Sequence, residues 1–232
     1  MLHTDPFSPL DNPAWWALTG EQQVFATGTA NSKRYRSGIL PFAAMAPGQP
    51  PSLTELDNWL QPNEVFYVIG ELPPLPPGYT LLKELCCVQM LLQHPIELQQ
   101  PAPAITHLTA LHSTHMYNLI NNVQPGYYER DTWLLGNYYG IWHNRQLVAI
   151  TGERMRLDHL TEISAICTHP DYTGRQYAQH LIAYCCNNNL AQGKTPFLHV
   201  LQTNERAIRL YEYLGFIKRR NISFWQIQKQ EL

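Results

Sequence analysis

The segment Glu162-Ile163-Ser164-Ala165-Ile166-Cys167-Thr168-His169-Pro170-Asp171-Tyr172-Thr173-Gly174-Arg175-Gln176-Tyr177-Ala178 runs from an apolar strand through a tight turn and straight into a long helix. The strand is bounded by Pro170. Beyond the turn, Ala178, Leu181, Ile182 and Cys185 fall at i, i+3, i+4 and i+7, which predicts a helix over 174–191. The first turn of such a helix leaves N–H groups unpaired and aimed outward. With the helix dipole they form a seat for a phosphate or pyrophosphate. Gly174 lets backbone approach an anion closely, and Arg175 adds a positive charge.

Around this segment the chain alternates strands and helices. Ile105–Thr109 reads as a short strand and 112–122 as a helix marked by Met116, Leu119 and Ile120. Tyr138–Trp142 and Gln146–Gly152 form a hairpin turned at His143-Asn144-Arg145. Phe197–Leu201 is a strand, Glu205–Leu214 a helix stopped by Gly215, and 216–219 with 222–227 a closing strand pair. The class is α/β, mixed α+β, with several hairpins. Upstream, Pro47-Gly48-Gln49-Pro50-Pro51 and Leu72-Pro73-Pro74-Leu75-Pro76-Pro77-Gly78 are turns or extended connectors. Ser52-Leu53-Thr54-Glu55 has the form of a capping box opening a short helix to Leu60. A strand is expected at 64–70 and one strand or two at 79–90. The proline-rich stretch 95–103 marks a boundary, giving an N-terminal α/β lobe at 1–103 and a second domain at 104–232.

Composition narrows the function classes. The chain has 232 residues, 16 basic against 18 acidic, and 44% hydrophobic residues, so it folds around its own core. Residues 1–100 carry 4 Lys/Arg and 9 Asp/Glu, a net of -5; the rest carry 12 and 9, a net of +3. A mildly basic second part suits a small anionic ligand, and no basic excess points to nucleic acid. No apolar run reaches the ~18 residues of a membrane span. The start MLHTDPFSPLDNP has neither a basic nor an apolar core region, so no signal peptide is expected. Five cysteines in two adjacent doublets and one singleton are no disulfide framework, and a reducing cytoplasm fits them best. His112 and His115 lack a second pair, so no metal is expected.

The 173–178 segment resembles the acetyl-coenzyme A motif of the GNAT superfamily of N-acyltransferases, a Gln or Arg, two residues, a Gly, one residue, then Gly or Ala. Here those positions are Thr173, Gly174, Arg175, Gln176, Tyr177 and Ala178. Thr173 stands where Arg or Gln is usual and is expected to cap the helix. Gln176 stands where the inner Gly is usual and brings a side chain toward the phosphates. Downstream, Leu201-Gln202-Thr203-Asn204-Glu205-Arg206-Ala207-Ile208-Arg209-Leu210-Tyr211-Glu212-Tyr213-Leu214-Gly215-Phe216 is similar to the family's Asn, Ala, Leu-Tyr and Gly-Phe signature. The resemblance covers about 105–228 and extends, through the extra N-terminal lobe, to two-lobed bacterial members.

It implies a GNAT-like acyl-CoA fold with a central, mostly antiparallel sheet flanked by helices. It implies direct transfer of an acetyl group from acetyl-coenzyme A to a primary amine, borne by a small molecule or peptide, without metal. Ile166, Cys167 and Thr168 would line the pantetheine cleft, with Cys167 needed for no nucleophilic role. Tyr211 would be the general acid for the leaving thiolate. Asn204 would contact the pantetheine arm, cap the following helix, or both. Glu162 is the candidate general base, or else a solvated strand-end carboxylate. His112 and His115 would face the acceptor, or else be buried or capping. Tyr127, Tyr128 and Trp133 would wall the acceptor cleft or belong to an aromatic core. Two alternatives differ in class: a coenzyme-binding regulatory protein with weak catalysis, and an interaction module using the proline-rich 72–78 run.

Overall fold

The computed structural model describes residues 5–231, which divide into two compact units. The first contains the described residues up to Ser37, Pro41–Cys87 and those from Asn221 on; the second contains Gly38–Leu40 and Val88–Arg220.

In the first unit, helix α1 (Pro13–Thr19) starts at Asn12, whose side chain accepts from the Trp15 N–H, with Pro13 preset for the first turn. Strands β1 (Ala26–Gly28), β2 (Ser32–Tyr35) and β3 (Phe42–Met45) pair antiparallel in turn. A 3-10 helix, Leu53–Trp59, then leads to β4 (Val65–Ile69), which pairs parallel with β3. Two long strands, β5 (Tyr79–Leu91) and β11 (Ile217–Lys229), contribute residues 79–87 and 221–229 to this unit, with β11 antiparallel to β4. Leu53, Leu56 and Leu60 pack against Ala43, Phe66, Val68 and Ile227. Each such fully buried leucine is worth roughly 1.5–3 kcal/mol. Arg34 is buried and ion-paired to Glu64.

The second unit is ordered β11-β5-β10-β9-β8-β7-β6. Its strands are β6 (Thr106–Leu108), β7 (Tyr138–His143), β8 (Gln146–Arg156), β9 (Leu160–Thr168), β10 (Thr195–Leu201) and the remaining parts of β5 and β11. β6 to β9 pair antiparallel, and β9 with β10 is parallel. The β7–β8 turn has Asn144 and Arg145 at φ 47° and 65°, the left-handed pair that a two-residue hairpin favours. Helices α3 (Tyr177–Ala191) and α4 (Glu205–Tyr213) cover one face, where Leu181, Ile182, Cys185, Ile208 and Tyr211 meet Val88, Met90, Ile163, Leu198 and Val200. Helix α2 (Ser113–Val123) buries Met116, Leu119 and Ile120 with Leu108, Tyr138, Ile150 and Cys167 in a separate cluster.

Four local expectations change. The 52–60 segment is 3-10, and Ser52 makes no cap; its hydroxyl meets that of Thr54 at 2.8 Å. The capping box lies instead at Thr109 and His112, ahead of α2. The closing strand pair is the single strand β11. Helix α3 begins at Tyr177, not Gly174, because Gln176 is left-handed. The units also divide the chain differently from a cut at 103/104: β5 and β11 each contribute to both. No helix of the described residues is long and apolar enough to cross a membrane.

Candidate active site

The site is built where β9 and β10 stop pairing. Their partners are Leu160–Thr195, Thr161–Pro196 and Phe197–Glu162, and no pairing continues from Ile163 onward. On the other edge β9 remains bonded to β8 up to the Thr168–Ala149 pair. A bulge at Ala165, φ 52°, shifts that register. Since the His169 N–H donates to Val148 O, strand alternation turns the Thr168 and Ile166 N–H groups away from β8, toward the open edge. Side chains do otherwise: Cys167 lies in the α2 cluster with its Sγ 3.8 Å from Leu119 O. Burial raises its thiol to about 12, so it is an inert core residue, in keeping with its needing no nucleophilic role.

β9 runs on into a single 3-10 turn, Pro170–Tyr172, and then the loop 173–176. Thr173 does not cap α3; its hydroxyl donates back to Pro170 O at 3.1 Å. Gly174 sits at φ 77° with open space around it, and Gln176 is the N-cap at φ 60°, ψ 14° without a side-chain cap bond. The first bond into α3 is His180 N–H to Gln176 O. Among the described residues, the N–H groups of Gly174, Arg175, Gln176, Tyr177, Ala178 and Gln179 therefore donate to nothing. No acidic residue stands in this first turn. Arg175 lies over the Tyr172 ring at 5.0 Å, which His143 and His169 also flank. Tyr177 and Ala178 pack partly into the core and fix the helix start. These groups fit a pyrophosphate: many donors, a dipole end and a nearby guanidinium.

On the far side of β10, Asn204 caps α4, its Oδ1 accepting from the Ala207 N–H at 3.2 Å. Tyr211 is buried in the core of that face, 5.8 Å from the Phe216 ring. Burial, with a smaller contribution from Cys186, raises its phenol to about 12, and its hydroxyl makes no hydrogen bond among the described residues. It stays protonated at any working pH.

Glu162 departs most from its expected setting. It is fully buried, and Arg154 grips it from β8 through Nε (2.8 Å) and Nη2 (2.6 Å). His199 Nδ1 meets the same carboxylate at 2.7 Å. Burial alone would raise its pKa, but Arg154 and His199 outweigh it and hold the acid at about 2. A carboxylate so placed is a very weak base, and it is no solvated strand end either. The reading of Glu162 as general base is corrected accordingly.

The acceptor candidates separate. His112 caps, its Nδ1 accepting from the Thr109 N–H at 3.0 Å, and its ring lies 5.6 Å from Trp142. His115 is exposed, with its ring 5.2 Å from the same Trp142. Tyr128 is core, edge-on to Tyr138. Trp133 packs partly against that cluster, and Tyr127 is exposed. Sequence reading missed Arg154, Gln89 and His199. The signal available was a lone polar residue in an apolar run, as in Phe197-Leu198-His199-Val200-Leu201.

An FR47-like family model matches residues 138–225. Among solved structures, a GNAT-family protein from Novosphingobium aromaticivorans, assigned there as an acetyltransferase, is 33% identical, with 96% of this chain and 99% of that one covered at a TM-score of 0.86. A GCN5-related N-acetyltransferase from Kribbella flavida superposes at a TM-score of 0.64 with 15% identity, over 94% and 95% of the two chains. A GCN5-related N-acetyltransferase-like protein from Streptococcus suis gives 0.58, 15%, 92% and 93%. The last two speak for the fold alone. Comparison with curated proteins gives no match. With splayed parallel strands, a run of free N–H groups and a full-length relative at one-third identity, the chain belongs to the GNAT family.

Proposed function

We propose that the protein is an acetyl-coenzyme A dependent N-acetyltransferase that acts on a primary amine of a small molecule or peptide. The observation that carries this is the unbroken run of six unpaired N–H groups from Gly174 to Gln179, reached directly from the open edge of β9. The run holds the pyrophosphate. The Ile166 and Thr168 N–H groups face the thioester arm and donate where negative charge develops on the carbonyl oxygen. Tyr211 keeps its proton and donates it, or a hydrogen bond, to the departing sulfur. Glu162 contributes a fixed negative charge to the fork of β9 and β10, and the amine's proton is taken by solvent or by another group. The mildly basic balance of the second part supports an anionic coenzyme, and the relative from Novosphingobium supports the reaction class.

Titration calorimetry with coenzyme A, followed by an amine panel assayed for thiol release and product mass, tests this. Binding with a one-acetyl mass gain on an amine is the expected result; absence of coenzyme binding refutes it. The second reading, a coenzyme-binding regulatory protein with weak catalysis, is favoured by the left-handed Gln176 and the occupied Glu162. Binding without transfer to any amine would select it.

A further inference from the structure

Five neighbouring strands of the second unit each send one polar side chain into a continuous ladder. From β11, Arg219 Nη1 donates to Gln89 Oε1 on β5 at 2.9 Å. The Gln89 amide nitrogen meets His199 Nε2 on β10 at 2.9 Å. His199 Nδ1 meets Glu162 on β9 at 2.7 Å, and Arg154 on β8 closes the row. Strand alternation puts Gln89, His199 and Glu162 on the face opposite α3 and α4, because Val88, Met90, Ile163, Leu198 and Val200 all point toward those helices. The side chains of His199 and Glu162 are 2% and 0% exposed.

Donor direction fixes the chemistry of the ladder. Arg219 can only donate, so Gln89 turns its oxygen to it and its amide N–H groups to His199. His199 Nε2 must then accept, so the proton sits on Nδ1 and is donated to the Glu162 carboxylate. The ring is therefore neutral and of one tautomer. The position matters as much. Backbone pairing of β9 and β10 ends at Glu162–Phe197, and the His199–Glu162 bond is the next link between those strands. It replaces backbone bonding where the sheet splits.

We propose that His199 is a positioning residue: held as the neutral Nδ1–H tautomer by Gln89 and Arg219, it pins Glu162 across the fork and sets how far β9 and β10 open. It touches neither coenzyme nor acceptor; it acts through the placement of the Ile166 and Thr168 N–H groups. The inference rests on the coenzyme reading above.

The test compares H199N with H199Q in the full chain. An Asn amide nitrogen can take the place of Nδ1–H, and a Gln amide nitrogen that of Nε2. H199N should keep coenzyme A affinity within about threefold. H199Q should lose at least about tenfold, as befits a lost hydrogen bond to a charged group. With any amine turned over by wild type, kcat should fall in H199Q and recover in H199N, at similar melting temperatures. If wild type binds coenzyme A and both variants bind it equally well, or both fail equally, the ladder does not position the fork. If wild type itself does not bind, the coenzyme reading fails instead. Nitrogen chemical shifts of the His199 ring in the unmodified protein give an answer independent of variant folding: Nδ1–H is expected, and an Nε2–H or imidazolium ring overturns the proposal.

Discussion

Replacing Gln176 by glycine should stabilise the protein, although glycine in helices usually does the reverse. Gln176 holds φ 60°, a region that costs an L-residue about 1–2 kcal/mol and glycine almost nothing. Against this, glycine loses roughly 0.5–1 kcal/mol through the freedom of the unfolded chain. The interior helix penalty does not apply, because Gln176 is the N-cap and α3 starts one residue later. Nothing else is forfeited: the side chain is exposed and makes no cap bond. The net gain is about 0.5–1 kcal/mol, a rise in melting temperature of about 1–3 °C for a chain of this length. Thermal melts of wild type and Q176G read it directly. On the coenzyme reading proposed above, the same variant should tighten coenzyme A, whose pyrophosphate would meet the loop, and leave pantetheine unchanged. A loss of more than about 1 kcal/mol would mean that the Gln176 side chain carries a native contact. An equal effect on both ligands would mean that the loop does not meet the pyrophosphate.

Tyr211→Phe removes a hydroxyl with no hydrogen-bond partner among the described residues, so stability should hold within about 0.5 kcal/mol while turnover falls, as paired melting and steady-state assays would show. Glu162 has its acid lowered from 4.5 to about 2, so its contribution is present above about pH 5 and is lost as pH falls toward 2. That contribution is about 3 kcal/mol, and urea midpoints from pH 7 to 3 should slope less in Glu162→Gln, which is itself less stable at neutral pH because Arg154 loses its counter-charge. Of the five thiols only Cys86 is exposed; one equivalent should react with a thiol reagent in the native state and all five in denaturant. Even that one should be sluggish, since a hydrogen bond to the Glu84 carboxylate raises its pKa.

Legibility followed sequence distance. Elements marked by local period or by turn residues, such as α3, α4, the β7–β8 hairpin and β9, were readable within a few residues. So was the order strand, turn, helix that makes the anion seat. What escaped was long-range. Glu162 read as a general base or a solvated strand-end carboxylate because nothing near it in sequence announces His199, 37 positions away, or Gln89, 110 positions from His199. The sharing of β5 and β11 between the two units escaped for the same reason: a single long strand and two short ones have the same alternation. The left-handed turn at Gln176 escaped because a non-glycine there gives no compositional sign.

The first unit repeats, in miniature, the order of the second. Three antiparallel strands, a helical connection and a parallel fourth strand describe β1-β2-β3 to β4 as well as β7-β8-β9 to β10. The connections differ where it counts. Before Leu53–Trp59 stand Pro50 and Pro51, which have no N–H to offer, and Glu55 puts a negative charge in the first turn. Before α3 and in its first turn stand Gly174 and five further donors with no carboxylate among them. Among the described residues one architectural plan thus appears twice, and only one of the two copies forms a cradle for an anion. Stoichiometry follows from that asymmetry: on the coenzyme reading, a single equivalent of coenzyme should saturate each polypeptide.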